Sequence, residues 1–453
     1  MTRRTARWRV ATFAILLAGG VRTADAQSLG ASDPRPSPTM LSLDDAERRA
    51  LASHPVVARA AAALEAALGV AHQAGTPPNP VIGYDAEEVS GGPINRYGEH
   101  GVFFEQEVPL GAKLRRAREA GTSAADVARV ALERAKLGVR TDVRWRYIDA
   151  AIASRRVAVR EELLRVVQDA VGASSQLANV GAADKPDVLA AEIEGERAQL
   201  ALTAARNQRF RAFRDLGVAM GETALAPIDL DVGDEEAVPE LARDEWWARI
   251  REESPDLAAL RASIAQSEAA LRLAERATAP DLIIKAGALY NRELLEPAFK
   301  PVGWEARLEV GLRLPLINRN RGGIRAARAE VDVAKAELSQ RELALAGRFN
   351  EAFERYLTAQ AAAERYRNAI LPRARQAHDL YLASYRQMAA AYPQVLIAER
   401  TLASTLDEYL DTLAAAWREA TRIRGLLATT EPEARNEDNG RDKMTPLAGG
   451  TGR

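Results

Sequence analysis

The chain has 453 residues, of which 47% are apolar and 28% are charged, and its 62 Lys and Arg nearly balance 63 Asp and Glu. This balance gives no basic footprint for nucleic acid, and the absence of cysteine excludes disulfides, thiol catalysis and cysteine-bound metal. The four histidines are scattered without metal-binding spacing. We therefore expect no enzyme, no metal site and no cofactor.

The first 26 residues are typical of a secretory signal. Arginines precede an apolar run at residues 10–21, and Ala24-Asp25-Ala26 has the small-x-small pattern of a cleavage site. Twelve apolar residues are too few to cross about 30 Å of hydrocarbon as a helix. We expect export, cleavage after Ala26 and, without cysteine, no lipid anchor. Residues 27–40 are predicted to be an extended N-terminal segment.

The rest of the chain is two copies of one pattern. Pro80 precedes Pro280 by 200 residues, and Pro186-Asp187-Val188-Leu189 precedes Pro393-Gln394-Val395-Leu396 by 207. A near-constant offset indicates duplication of one structural unit. The predicted segments are a first repeat, a linker, a second repeat and a disordered polar tail, at residues 41–221, 222–240, 241–428 and 429–453.

Each repeat is predicted to be mainly helical. An Ala- and Leu-rich helix opens each repeat, and two long helices close it. The predicted ranges are 41–74, 112–178 and 187–220 in the first repeat, and 241–278, 319–388 and 394–428 in the second. Residues 112–178 contain no proline, and a helix of that length reaches about 100 Å. Apolar positions recur every three or four residues, which predicts long antiparallel helices packed as in coiled coils.

Two strands are predicted between the opening helix and the first long helix of each repeat. Along these four runs of about ten residues, apolar and charged side chains alternate, which is typical of a strand between two different solvents. The apolar positions, predicted to face lipid, are Ile82, Tyr84, Val102, Phe104, Leu282, Ile284, Tyr290, Trp304, Leu308, Val310 and Leu312. The charged positions, predicted to line a wet lumen, are Asp85, Glu87, Glu105, Glu107, Lys285, Glu305, Arg307, Glu309 and Arg313. A half-buried strand in a soluble sheet has the same alternation.

Four strands per chain cannot close a barrel, and open sheet edges are not tolerated in lipid. If these strands cross a membrane, several chains must therefore share one barrel. A dimer gives eight strands and a trimer twelve, and the strand pattern does not choose between them.

The organisation of residues 41–428 resembles the outer-membrane efflux protein family, whose archetype is TolC. Asn179-Val180-Gly181, followed by Asp187-Val188, is similar to the first periplasmic hairpin turn of that family. Three further motifs resemble its CzcC/CusC heavy-metal branch: Pro78-Asn79-Pro80, the run EQEVPLGAK at residues 105–113, and the run LPLINRNRG at residues 314–322.

The resemblance implies a homotrimer in the outer membrane of a Gram-negative bacterium. Its fold is mainly α with membrane β-strands, four from each chain in a shared 12-stranded barrel, above a periplasmic α-barrel. The function implied is a passive exit duct for heavy-metal cations, with no catalysis. The partners implied are a periplasmic adaptor, an inner-membrane resistance–nodulation–division (RND) pump and outer-membrane lipid. The residues alone leave two alternatives, a soluble periplasmic coiled-coil scaffold or adaptor and an outer-membrane duct for type I protein secretion.

The resemblance also places a gate and adaptor contact at the turns between the long helices. The residues implied there are Gly181, Asp184, Lys185, Asp187, Tyr385, Arg386 and Tyr392. The chain departs from the archetype where acidic rings and a gating arginine are expected, because it has Gln394, Ile397 and Ala390 at those positions.

Overall fold

The computed structural model describes residues 40–88, 98–181, 183–231, 238–295 and 300–426. The predicted signal, residues 27–39, the predicted tail and residues 232–237 of the predicted linker lie outside these ranges. The described residues, from Met40 onward, belong to one compact unit. None of the helices in the described ranges combines the length and the apolar content needed to cross a membrane.

Helices dominate the described residues. In chain order the elements of the first repeat are β1 (Met40–Leu41), α1 (Leu43–Ser53), α2 (Pro55–Ala74), β2 (Val81–Glu87), β3 (Glu99–Pro109), α3 (Lys113–Asn179) and α4 (Lys185–Ala219). Those that follow are β4 (Asp229–Leu230), α5 (Arg243–Glu253), α6 (Pro255–Arg276), β5 (Asp281–Leu295), β6 (Lys300–Arg313), α7 (Arg321–Arg365), a π-helical turn (Tyr366–Ile370), α8 (Leu371–Arg386) and α9 (Tyr392–Gly425). The predicted fold class, a mainly helical duplicated unit with four long strands, is confirmed.

The helix α3 runs for 67 residues without a break. The sequence predicted it at 112–178, one residue from its observed position. Its length is about 100 Å at 1.5 Å per residue. The chain enters it through Ala112, whose φ of 63° is left-handed and turns the backbone from β3 into the helix.

Proline divides three predicted helices. The opening helix of each repeat is split at Pro55 and at Pro255, which become the first residues of α2 and α6. The predicted stretch 319–388 widens into the π-helical turn just before Pro372. Proline has no N–H to continue the hydrogen-bond ladder, so a helix either restarts at it or rearranges one turn earlier. The single continuous helices predicted at these places were wrong.

The four long strands form one antiparallel sheet in the order β2-β3-β5-β6. The central pair, β3 and β5, joins the two repeats, while β2 and β6 are the edges. In one row across the sheet Glu105 lies between Val81 and Lys285, and Lys285 faces Glu309. Odd-numbered residues therefore share one face and even-numbered residues the other, because the side-chain period of a strand is two.

Ion pairs join α3 of the first repeat to α9 of the second. Asp149 pairs with Arg418 at 2.7 Å, Arg156 with Asp411, and Arg160 with Asp407. Successive pairs are seven and then four residues apart on both helices, in opposite directions. This spacing keeps the pairs on one face of each helix, so the two helices run antiparallel in a constant register.

A short parallel pair, β1 with β4, connects the start of the described chain to the segment between the repeats. The buried hydroxyl of Tyr147 on α3 donates to the carbonyls of Leu41 at 2.9 Å and Asp231 at 2.8 Å. This pair was not predicted, because two-residue strands carry no periodic signal.

Candidate functional site

The even-numbered face of the sheet is predominantly apolar and largely uncovered in the single chain. Ile82 is 78% exposed, Trp304 76% and Leu308 73%. All eleven side chains predicted to face lipid lie on this face, and Leu282, Ile284 and Tyr290 are half-buried there. A large uncovered apolar sheet face marks a surface that contacts lipid or another protein.

Aromatic side chains gather at one end of the apolar face. His100, Tyr290 and Trp304 are in register across three strands, and the Tyr290 and Trp304 rings meet edge-on at 5.6 Å. The Tyr84 hydroxyl and His100 Nδ1 are 2.6 Å apart. Such a row is typical of the aromatic girdle where a membrane strand meets the headgroups.

The odd-numbered face carries all nine side chains predicted to line a lumen. Lys285 lies 3.2 Å from Asp85, and Arg307 lies 2.7 Å from Glu87 and 3.3 Å from Glu99. Arg313 lies 2.9 Å from Glu107. Carboxylates outnumber cations on this face, so it carries net negative charge.

The sequence missed part of this face. Glu99 belongs to it, because β3 begins three residues earlier than the predicted run. Phe103 lies on this face as the alternation along the strand predicts, but its contacts were not foreseen: its ring lies against the backbone of Gly83 and 4.2 Å from the Lys285 ammonium. A glycine beside an aromatic residue in register is the signal that could have found this contact.

At the opposite end of α3, four helices meet around the two turns. Tyr385 and Tyr392 are buried there with Leu177, Ala191 and Val395. Together these five residues come from the ends of α3, α4, α8 and α9. We call this cluster the tip core. It joins the two repeats at the ends of the long helices that are remote from the sheet.

The two tip tyrosines differ in hydrogen bonding. Their rings lie 5.7 Å apart, and the Tyr385 hydroxyl lies 2.7 Å from Ser174 Oγ on α3. The Tyr392 hydroxyl is buried without a hydrogen-bond partner among the described residues. Burial, and next the charge of Glu399, raise the pKa of Tyr392, so it stays neutral.

Glu399 is a buried carboxyl about two turns further along α9 than Tyr392. It is 5% exposed, and within the described ranges neither of its oxygens has a hydrogen-bond partner. It lines a cavity of about 220 Å³ between α3, α4 and α9, together with Glu194, Arg197 and Arg400. Burial, and then the charge of Glu194, raise the pKa of Glu399 to about 7, and Arg400 opposes the shift.

Glu194 is the paired carboxylate of this cavity. Arg197 donates to it at 2.8 Å, and Arg400 donates to it as well. The arginines therefore neutralise Glu194 and leave Glu399 without an ion pair. Sequence reasoning missed this position, because the repeat offset of 207 residues makes Glu192 the equivalent of Glu399, yet Glu192 is exposed and gives no sign of the burial.

The predicted gate residues divide into two groups. Tyr385 and Tyr392 belong to the tip core, whereas Asp184, Lys185 and Arg386 are exposed at its surface. Asp187 is half-buried in the first helical turn of α4. Gly181, in the connection between α3 and α4, has a φ of 73°. Their gating and contact roles stay predictions.

A metal site is not built into the described residues, since no group of three or more His, Asp or Glu side chains lies close enough together to bind an ion there.

Comparison with known proteins gives one family. Residues 47–222 and 246–429 match the family model described as outer membrane efflux protein. The cobalt-zinc-cadmium resistance protein CzcC of Cupriavidus metallidurans is 27% identical over 402 residues, which cover 87% of this chain and 91% of CzcC.

Solved structures share the fold. The outer membrane protein VceC of Vibrio cholerae superposes with a TM-score of 0.67 at 18% identity, over 85% of this chain and 96% of VceC. CusC superposes with a TM-score of 0.64 at 16% identity, over 86% of this chain and 92% of CusC.

Proposed function

Because the chain belongs to the outer membrane efflux protein family, and is an outer-membrane efflux duct by that membership, we propose that three copies assemble into one channel. The observation that carries this is the four-stranded sheet, with an uncovered apolar face, a charged face and two edges, β2 and β6. Pairing β6 of each copy with β2 of the next gives a closed barrel of twelve strands, which leaves no open edge in lipid.

The long helices continue the duct into the periplasm. In this proposal α3, α4 and α7–α9 of the three copies form an α-barrel, and the turns around the tip core form its periplasmic gate. Gly181, Asp184, Lys185, Asp187 and Arg386 contact a periplasmic adaptor, which links the duct to an inner-membrane RND pump. Tyr385 and Tyr392 hold the gate from inside the tip core.

We propose heavy-metal cations as the substrates. Support comes from the name of the CzcC relative and from the acidic charge of the odd-numbered sheet face, which attracts cations. The duct catalyses no reaction, and the pump supplies the energy. In this proposal the chain is exported to the outer membrane and its signal is cleaved after Ala26.

The assembly is tested by fractionating cells that produce the untagged full-length chain. The outer-membrane fraction is extracted with detergent, crosslinked and run on gels with and without heating. We expect a band at about three times the monomer mass that heating converts to monomer, as for closed homo-oligomers, and an N-terminus at Gln27. A monomer or dimer in the soluble periplasm would contradict the proposal.

The substrate is tested separately in cells that lack the gene. We expect these cells to be more sensitive to Co²⁺, Zn²⁺ and Cd²⁺ than cells that have the gene. Supplying the gene in trans should restore resistance. If sensitivity is unchanged while the trimer assembles normally, the duct stands and the substrate class is wrong.

A further inference from the structure

The turn that follows β6 presents apolar side chains to the surroundings. Leu314 is 54% exposed, Leu316 68% and Ile317 101%. The turn is nevertheless held in place, because Arg319 Nε donates to the Leu316 carbonyl at 3.3 Å and the Asn320 side-chain amide donates to the Ala274 carbonyl at 2.9 Å. Exposure of these apolar groups is therefore a fixed property of the fold.

The equivalent turn of the first repeat is built differently. Leu110 is half-buried, and its N–H donates to the Pro280 carbonyl at 3.3 Å. Lys113 then closes the turn by pairing with Asp281 at 2.7 Å. Since one repeat covers its turn, the connection from strand to helix does not require exposed leucine and isoleucine, and the second turn needs another explanation.

The exposed turn lies at a definite height on the apolar face. Trp304, in the aromatic row, and Leu314 are ten residues apart on the same face. Ten residues span about 33 Å along a strand, and a tilt of about 40° reduces this to about 25 Å, the height of the apolar band of a membrane barrel. The aromatic row marks one edge of the band, so Leu316 and Ile317 lie at the other.

Charge changes abruptly beyond this edge. Residues 313–329 contain no acidic residue, and their five arginines are Arg313, Arg319, Arg321, Arg325 and Arg328. Arg313 is paired with Glu107 across the sheet, while Arg321 and Arg325 are exposed on the first turns of α7. An apolar edge followed by clustered arginines is complementary to acyl chains followed by phosphate groups.

We propose that the turn at residues 314–321, with the first turns of α7, is a binding surface for phospholipids of the periplasmic leaflet. Leu316 and Ile317 insert among the acyl chains, and Arg319, Arg321 and Arg325 bind headgroup phosphates, with a preference for anionic lipid. The inference rests on the proposed function, because the sheet must lie in the outer membrane for the turn to meet this leaflet.

The test uses the absence of cysteine in the chain. Full-length Ile317→Cys is labelled with bimane and reconstituted in vesicles of phosphatidylethanolamine and phosphatidylglycerol. About one lipid in ten in these vesicles carries a spin label on its acyl chain. We expect strong quenching at Ile317→Cys and little at Leu343→Cys, an exposed site halfway along α7. Spin-labelled phosphatidylglycerol is expected to quench at least about fivefold more effectively than spin-labelled phosphatidylcholine, since ~1 kcal/mol from a single arginine already gives that enrichment.

Further variants make the outcome decisive. Arg321→Gln with Arg325→Gln removes two of the three phosphate ligands without touching the hydrogen bonds of the turn, and should reduce the preference for phosphatidylglycerol several-fold. Quenching at Leu308→Cys, on the apolar face, reports that the sheet is in the membrane. If Leu308→Cys is quenched and Ile317→Cys is not, or if Ile317→Cys instead crosslinks to a second copy, the lipid surface is wrong and the channel stands. If neither is quenched, the channel itself is wrong.

Discussion

Tyr385 and Tyr392 pack against each other at a tilt in the tip core, yet their hydroxyls have different surroundings. The Tyr385 hydroxyl bonds to the fully buried Ser174, and that of Tyr392 has no bond among the described residues. Tyr385→Phe leaves Ser174 Oγ buried without its partner and should lower the free energy of unfolding by about 1–2 kcal/mol. Tyr392→Phe is the matched control and should be neutral or slightly stabilising.

Chemical denaturation of the two variants in detergent, followed by circular dichroism, measures this difference. Equal loss of stability in both would mean that the hydroxyl of Tyr392 has a partner in the protein, and equal neutrality would mean that the bond from Tyr385 to Ser174 adds nothing.

Glu399 makes the stability of the tip depend on pH. Its pKa is about 7 in the folded protein and 4.5 in the unfolded chain. Folding therefore favours the protonated form, and the cost of the charge is absent below the unfolded pKa, grows between the two values and is complete above about 7. Glu399→Gln should raise the free energy of unfolding at pH 8 by up to about 3 kcal/mol and change it little at pH 4.5.

Melting temperatures of the wild-type protein and Glu399→Gln between pH 4.5 and 8 provide the measurement. Glu196→Gln, at an exposed position on α4, is the control and should show the wild-type pH dependence. A constant difference between Glu399→Gln and wild type across the range would rule out titration of this carboxyl.

At the scale of elements, the pairing of β3 with β5 depends on one glycine. A Cβ at Gly101 would lie 2.4 Å from the Ala288 carbonyl oxygen and 2.6 Å from Leu289. Gly101→Ala must therefore move the strands apart, at a cost of about 1–3 kcal/mol. Gly311→Ala is the matched control on the same face of β6, because nothing lies within 4 Å of a Cβ there.

The temperature at which the unheated oligomer band converts to monomer reports this cost. We expect a lower conversion temperature for Gly101→Ala and an unchanged or higher one for Gly311→Ala. Identical temperatures would show that the junction between the repeats does not limit the stability of the assembly.

The elements with strong periodicity could be predicted from the sequence. The bounds of α3 differ by one residue from the prediction. No proline interrupts its 67 residues, so the apolar period of three to four predicts one continuous helix. Both faces of the sheet followed from alternation, because register fixes sidedness once one face is apolar. The breaks at Pro55, Pro255 and Pro372 were missed, because an apolar period of three to four continues across each proline.

Contacts between distant residues could not be predicted. Ser174 and Tyr385 are 211 residues apart, and neither position carries a local sign of the hydrogen bond. The burial of Glu399 also depends on how α3 and α4 pack against α9. Such contacts follow from the relative placement of helices, whereas a helix or strand follows from its own residues.

At the scale of the whole molecule, the odd-numbered sheet face sets the charge of the proposed lumen. Its carboxylates outnumber its cations, with Glu305 and Glu309 on the edge strand β6. A pore lined in this way concentrates cations. Planar bilayers containing the trimer in a KCl gradient should give a cation-selective reversal potential, and Glu305→Gln with Glu309→Gln should move it toward zero.

Glu245→Gln, on α5 away from the sheet, is the control and should leave the reversal potential unchanged. Anion selectivity of the wild-type channel, or a double variant that conducts with unaltered selectivity, would place this face outside the conducting path.

The π-helical turn at Tyr366–Ile370 gives the two repeats different mechanical properties. In the first repeat α3 passes from the sheet to the tip as one uninterrupted rod, whose bending is resisted by every turn of hydrogen bonds. In the second repeat the rod has a joint just before Pro372, and helices bend most easily at such sites. We therefore expect a force applied at the tip to bend the second repeat at this turn more readily than it bends α3. The part expected to move is α8 with its turn to α9.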